Sequence, residues 1–158
     1  MLDVRKAVAS DVAAAVEMTE QARRRYQKFQ PTFWHKAPKS AGMTEQFFTK
    51  LLTEPGTFFL VAVEGDRRLG FVIARKFPSP PVFDPGGDTY LIDDFHVVDP
   101  QHWLTTGEAL LSHATTLIHE HGAVQIVVTC ADRDLAKAEM LRRSQLTIAS
   151  NWWTKPLG

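Results

Sequence analysis

The chain has one cysteine, Cys130, among 158 residues, so no intramolecular disulfide can form and a thiolate zinc site lacks its ligands. It has no excess charge of either sign. Eighteen Lys plus Arg balance 18 Asp plus Glu, which leaves no global field to gather nucleic acid or anionic lipid. No apolar run approaches the ~18 residues of a membrane span, and Met1 to Lys6 alternates in character where a signal peptide would be continuously apolar. Internal repeats, low-complexity tracts and a second-domain linker are also missing. These absences lead us to expect a cytoplasmic protein with no nucleic-acid or membrane partner. The 44% hydrophobic and 23% charged residues fit one globular domain over 1–158.

The order of elements follows from periodicity and breakers. Leu2 to Val8 reads as a strand, and Ser10 with Asp11 caps a helix running to about Phe29. After a loop holding Pro31 and Pro38, a helix is expected over about Thr44 to Leu52, stopped by Glu54-Pro55-Gly56. Thr57 to Val63 and Leu69 to Lys76 are β-rich runs separated by Glu64-Gly65-Asp66-Arg67, a hairpin signature. Phe77 to Asp88 holds four prolines and two glycines and is a loop. A strand from Thr89 to Val98, a helix from Thr106 to His121, a strand from Val124 to Cys130 and a helix from Asp134 to Ser144 follow. Strand, crossover helix and strand make a parallel pair, so the sheet is mixed with helices on both faces. Leu146 to Leu157 is strand-like.

Tyr90 to Leu111 carries the most chemistry. An apolar strand bearing Asp93 and Asp94 ends at Val97-Val98-Asp99-Pro100, turns, and leads into a helix start. Free backbone N–H groups at such a junction attract an anion. His119 and His121 lie two apart on a helix and point about 200° away from each other, so no metal site is expected.

These patterns together resemble the GNAT superfamily of acyl-CoA-dependent N-acyltransferases. Val4-Arg5-Lys6-Ala7 with Asp11 looks like the family's first strand and helix cap, and Val61–Glu64 with Leu69–Val72 looks like its central hairpin. Leu91-Ile92-Asp93-Asp94-Phe95-His96-Val97 looks like its fourth strand, and Trp152-Trp153-Thr154-Lys155 like a C-terminal strand. The resemblance covers nearly the whole chain. It implies an α+β fold with a mainly antiparallel mixed sheet and a parallel strand pair at the acyl-CoA site. It also implies acetyl-CoA as co-substrate, no metal, a small-molecule or peptide amine acceptor, and a homodimer as the family default.

The resemblance further implies that backbone groups at Val97 and Val98 hold the thioester arm, while His102, Leu104, Thr105, Thr106, Gly107, Glu108 and Ala109 wrap the coenzyme pyrophosphate. Two departures stand out. The family's phosphate loop reads Arg/Gln-x-x-Gly-x-Gly/Ala; aligned on Gly107, this chain has His102 at the arginine and Thr105 at the first glycine, with Gln101 one place early. In the last helix the family's tyrosine acid is Leu141, and its Gly-Phe pair is Gln145-Leu146. Only Tyr26 and Tyr90 exist, and neither lies there. Loss of that acid slows catalysis without forbidding it, because a thiol of pKa ~8.5 leaves as thiolate near neutral pH at a cost of roughly 1.4 kcal/mol.

An alkylamine of pKa ~10.4 must lose a proton before attack. Adjacent strand residues point to opposite faces, so one of Asp93 and Asp94 is expected to face the acceptor: Asp93 first as base through water, Asp94 second. Tyr26, Phe29, Phe33 and Trp34 either wall an amine pocket or pack a long loop onto the sheet. Arg23 to Arg25 read as a solvated helix face, with an acidic partner as the minority reading. His96 is a proton relay or a structural histidine, Cys130 an inert buried thiol, and Phe77 to Gly87 a lid or a plain loop. A non-catalytic acyl-CoA-binding module on a degenerate GNAT fold is the alternative to an N-acetyltransferase.

Overall fold

The computed structural model describes residues 1–158. Five strands, β1 (Asp3–Lys6), β2 (Thr57–Glu64), β3 (Arg67–Phe77), β4 (Asp88–Val97) and β5 (Ala123–Val128), form one sheet in that order. β1 to β4 pair antiparallel and β4 pairs β5 in parallel, so the mixed sheet with a single parallel pair is as expected. Gly65 turns β2 into β3 with φ +57°, a conformation that a side chain resists.

Four helices cover the sheet: α1 (Val12–Phe29), α2 (Ser40–Leu51), α3 (Glu108–Glu120) and α4 (Leu135–Arg143). α1 and α2 bury Ala15, Met18, Phe48 and Leu51 against Phe59, Phe71 and Ile73 on one face. α3 and α4 bury Leu110, Ala114, Ile118 and Met140 against Val72, Ile92, Phe95 and Val97 on the other. Burying a side chain of this size contributes roughly 1.5–3 kcal/mol, so the two clusters fix which face each helix presents. No helix is long and apolar enough to cross a membrane.

Three expectations need correction. Leu146 to Leu157 forms no strand, and Ile148, Trp152 and Trp153 are exposed: the β-rich composition does not pair with the sheet, whose last strand is β5. α2 begins four residues before Thr44, because Ser40 is buried and bonds back to α1 through Glu20. Helical backbone also begins well before Thr106. A short 3-10 turn over Pro100–His102 runs into a wide π-type turn over Trp103–Gly107 and then into α3.

Candidate active site

β4 is interrupted where its carboxylates stand. Val72 of β3 pairs with Phe95 and Ala74 with Ile92, so Ile73 alone faces both Asp93 and Asp94. This is a β-bulge, with two residues opposite one. Its effect on side chains is visible in the core: Ile92 and Phe95, three positions apart, enter the same cluster, which an unbroken strand forbids. Both aspartates therefore lie on the α1 side of the sheet, against the expectation that they face opposite ways. Asp93 accepts a hydrogen bond from Thr129 Oγ1 at 2.5 Å and is exposed. Asp94 is half-buried, and burial followed by the neighbouring Asp93 charge pushes its carboxyl up to about 6. That shift sets Asp94 beside Asp93 as a candidate proton acceptor.

β4 and β5 separate just past the bulge. Thr129 N–H donates to Ile92 O at 3.1 Å, and β5 has already ended at Val128. On the other side, Val98 N–H donates to Leu69 O at 2.9 Å. Alternation in an antiparallel ladder then turns the peptide groups of Phe95 and Val97 away from β3 and into the gap. Of the pair expected to hold a thioester arm, Val97 has its N–H facing the gap, whereas the Val98 N–H is already committed to β3.

A lysine reaches this gap from α4. Lys137 is 1% exposed, and its Nζ donates to Phe95 O at 3.2 Å. The ammonium stands 5.2 Å from the Phe95 ring centroid and 5.3 Å from that of Trp103. Burial lowers its pKa, while Cys130, Asp134, Asp93 and Asp94 favour its charge. No local pattern singles it out, since helical lysines are ordinarily solvated. The missed signal was its place on the apolar side of a helix, three positions before Met140.

The segment expected to wrap a pyrophosphate is arranged differently. The helical stretch starts at Pro100, and Asp99 caps it, accepting from Gln101 N–H at 3.0 Å and from Gln101 Nε2 at 3.2 Å. Asp before Pro at the first helical position is itself a start signal, which explains why the helix begins there. Thr106 and Gly107 are buried. A Cβ on Gly107 would come within 2.5 Å of Trp103 Cε3, so a glycine here makes room for the indole. Leu104, Thr105 and Glu108 are exposed, while His102 and Ala109 are half-buried. The fit to an acyl-CoA is thus uneven. The gap offers Val97 N–H and the Lys137 ammonium, and Trp103 Nε1 is buried without a partner nearby in the core. The helix start, by contrast, already holds a carboxylate.

On the α1 face the expected aromatic residues do come together. Tyr26 stands 5.8 Å from Phe29 and 5.2 Å from Trp34, Trp34 stands 4.6 Å from Phe33, and Phe33 meets Trp152 of the tail at 6.0 Å. Tyr26 is buried, however, with its hydroxyl on Asp134 Oδ2 at 2.7 Å, so it braces the wall and leaves Phe33 and Trp34 to form it. A cavity of about 260 Å³ opens beside Phe33, Trp34, Arg23 and Lys36. Arg23 bonds Glu20 and Thr44, tying α1 to α2, and Arg24 pairs with Glu17 at the surface.

The remaining candidates are structural. His96 is buried with Nδ1 unpaired, and burial holds it well below the usual imidazole range, so it stays neutral and has no relay partner there. Burial pushes the Cys130 thiol up, which disfavours a thiolate. The proline loop joins β3 to Asp88, roughly 20 Å of strand away from Asp94, and does not cover it. No three His, Cys, Asp or Glu side chains converge as a metal site would require.

No family model and no curated protein matches the chain. Solved structures do match over its full length. A mutant of the BH1408 protein of Bacillus halodurans aligns at TM-score 0.84 with 13% identity, over 98% of this chain and 99% of that one. A GCN5-related N-acetyltransferase from Ralstonia eutropha aligns at 0.70 with 19% identity over 99% of both chains. A predicted acetyltransferase with acetyl-CoA from Clostridium acetobutylicum aligns at 0.71 with 14% identity, over 99% of this chain and 96% of that one. The chain has the fold of the GCN5-related N-acetyltransferases, the GNAT superfamily.

Proposed function

We propose that this protein transfers an acetyl or related short acyl group from acyl-CoA to the primary amine of a small-molecule or peptide acceptor, by direct attack. The observation that carries this reading is the half-buried Asp94 at a β4 bulge, one residue before a strand gap into which Phe95 and Val97 turn peptide groups that no neighbouring strand pairs. In this reading Asp94 takes a proton from the acceptor amine, because a carboxylate tuned to about 6 is ionised at neutral pH yet basic enough to help. Phe33 and Trp34 flank the approach, and the Val97 N–H holds a carbonyl oxygen. The thioester contributes an activated carbonyl and a thiol leaving group. Structures of the same fold whose names include acetyltransferase activity add support.

The experiment is coenzyme A thiol release from acetyl-CoA over a broad panel of primary amines. Release with at least one acceptor is expected. Tight acetyl-CoA binding with no release favours the second reading, a non-catalytic acyl-CoA-binding module. The features behind that reading are Leu141 at the tyrosine position and the Asp99 carboxylate at the helix start.

A further inference from the structure

We infer that Lys137 is the electrophilic and acid group of this site: its ammonium, together with the Val97 N–H, receives the thioester carbonyl oxygen and then protonates the departing sulfur. The inference rests on the acyl-transfer reading above and adds a residue that the resemblance does not supply.

The geometry comes from the gap itself. A partner strand lying against β4 here would place an N–H on the Phe95 carbonyl and a C=O on the Val97 amide. The Lys137 ammonium takes the first of these positions, at 3.2 Å. A carbonyl in the second position would lie beside it. Of the three ammonium donors, one has the Phe95 carbonyl and the nearby Phe95 and Trp103 rings accept no conventional hydrogen bond, so donors remain for a ligand oxygen. A side chain 1% exposed cannot satisfy them with bulk water. Burying an ammonium is costly unless it is paired. No carboxylate forms an ion pair with it within 4 Å; Cys130, Asp134, Asp93 and Asp94 favour its charge from farther away. A charge kept under such conditions at a strand gap is placed for an oxygen that builds up negative charge during reaction.

The position also answers the missing acid. The family's tyrosine lies at position 141, one helical turn further along α4, and here that residue is Leu141, packed in the core. Lys137 projects from the preceding turn of the same helix. Burial lowers its pKa toward that of a thiol, which eases proton transfer to sulfur. In the balanced step an N–C bond forms and the C–S bond breaks. The alkylammonium acceptor loses two protons, one to solvent and one to Asp94. The thiolate takes one from Lys137, and the Asp94 proton recharges the lysine through solvent, so one proton is released overall.

The test compares wild type, Lys137→Met and Lys137→Arg. Methionine keeps the volume and removes the charge, so the fold and melting temperature are expected to hold or rise. Arginine keeps the charge but cannot release a proton near neutral pH, and it is the second variant if K137M does not fold. Carbonyl-labelled acetyl-CoA is bound to each and its ¹³C resonance recorded. The wild type is expected to shift the carbonyl downfield, K137M to lose most of that shift, and K137R to keep part of it. In turnover, both variants are expected to lose about 10²-fold in kcat with KM for acetyl-CoA changed much less. Equal carbonyl shifts in wild type and K137M overturn the inference, as does unchanged kcat in K137M. Absence of turnover in the wild type overturns the transfer reading, and the carbonyl shift then decides the role of Lys137 by itself.

Discussion

The Tyr26 hydroxyl donates to Asp134 Oδ2 at 2.7 Å, joining the last third of α1 to the residue that caps α4 across 108 positions of sequence. Both residues are buried, so neither can exchange this bond for water. The bond holds the wall of the acceptor side against the helix that carries Lys137. Burial, then the Asp134 charge, pushes the tyrosine pKa upward and keeps the phenol a donor.

Tyr26→Phe removes the donor and leaves a buried carboxylate short of a partner. A hydrogen bond to a charged group contributes about 1.5–3 kcal/mol, so the variant is expected to lose that much in denaturant unfolding. A loss below ~0.5 kcal/mol would mean that the bond does not brace the two helices.

The end of α4 offers a change in the other direction. Gln145 has φ +66°, and Leu146 N–H closes onto Leu141 O at 3.0 Å, the bond that ends a helix through a left-handed residue. The family's glycine at this place suits that conformation, whereas a side chain there costs about 1 kcal/mol. Gln145→Gly is expected to raise stability by about 0.5–1 kcal/mol, read as a higher melting temperature. A fall would show that the glutamine side chain contributes more than the strain it brings.

Acid stability is set by two paired carboxylates. Burial alone would raise both, but Asp11 is held down to about 2 by Arg5, the Val8 N–H and Arg68, and Glu20 to about 2 by Lys36, Ser40 and Arg23. A carboxyl lowered in the folded state stabilises it above the unfolded value near 4 and stops doing so as pH falls through the folded value. Stability should therefore be insensitive to these groups above about pH 5 and drop between about pH 4 and pH 2. Asp11→Asn should flatten its share of that drop; an unchanged profile would remove Asp11 from the account.

Asp99 caps the helical stretch where the resemblance puts a pyrophosphate. Asparagine caps a helix as well as aspartate does but carries no charge. Asp99→Asn should tighten coenzyme A binding by about two- to fivefold, from a helix-end charge effect of about 0.3–1 kcal/mol. Isothermal titration reads this directly, and unchanged or weaker binding would put the diphosphate elsewhere.

Much of this architecture was legible in the sequence because it is written locally. Alternation, the Glu64–Arg67 turn and the strand, helix, strand order after Thr89 gave the strands and the parallel pair. What escaped was set by partners distant in sequence. The bulge at Asp93 and Asp94 exists because Ile73 sits opposite both, and strand alternation alone points the two side chains apart. Lys137 is buried by Phe95 and Trp103, which no pattern within α4 announces. Trp152 and Trp153 have strand-like composition, but strand formation needs a partner, and the tail pairs with no strand. Asp99-Pro100 is ambiguous for a different reason: the pair that ends a strand is equally a helix start.

The most direct test of the acyl-transfer account is the pH dependence of kcat/KM for the acceptor amine, measured with wild type and Asp94→Asn. The account predicts that wild-type activity falls below about pH 6, where the Asp94 carboxyl gains its proton, and that D94N loses about 10²-fold or more with that acid limb gone. A D94N enzyme with wild-type rates and the same acid limb would contradict it.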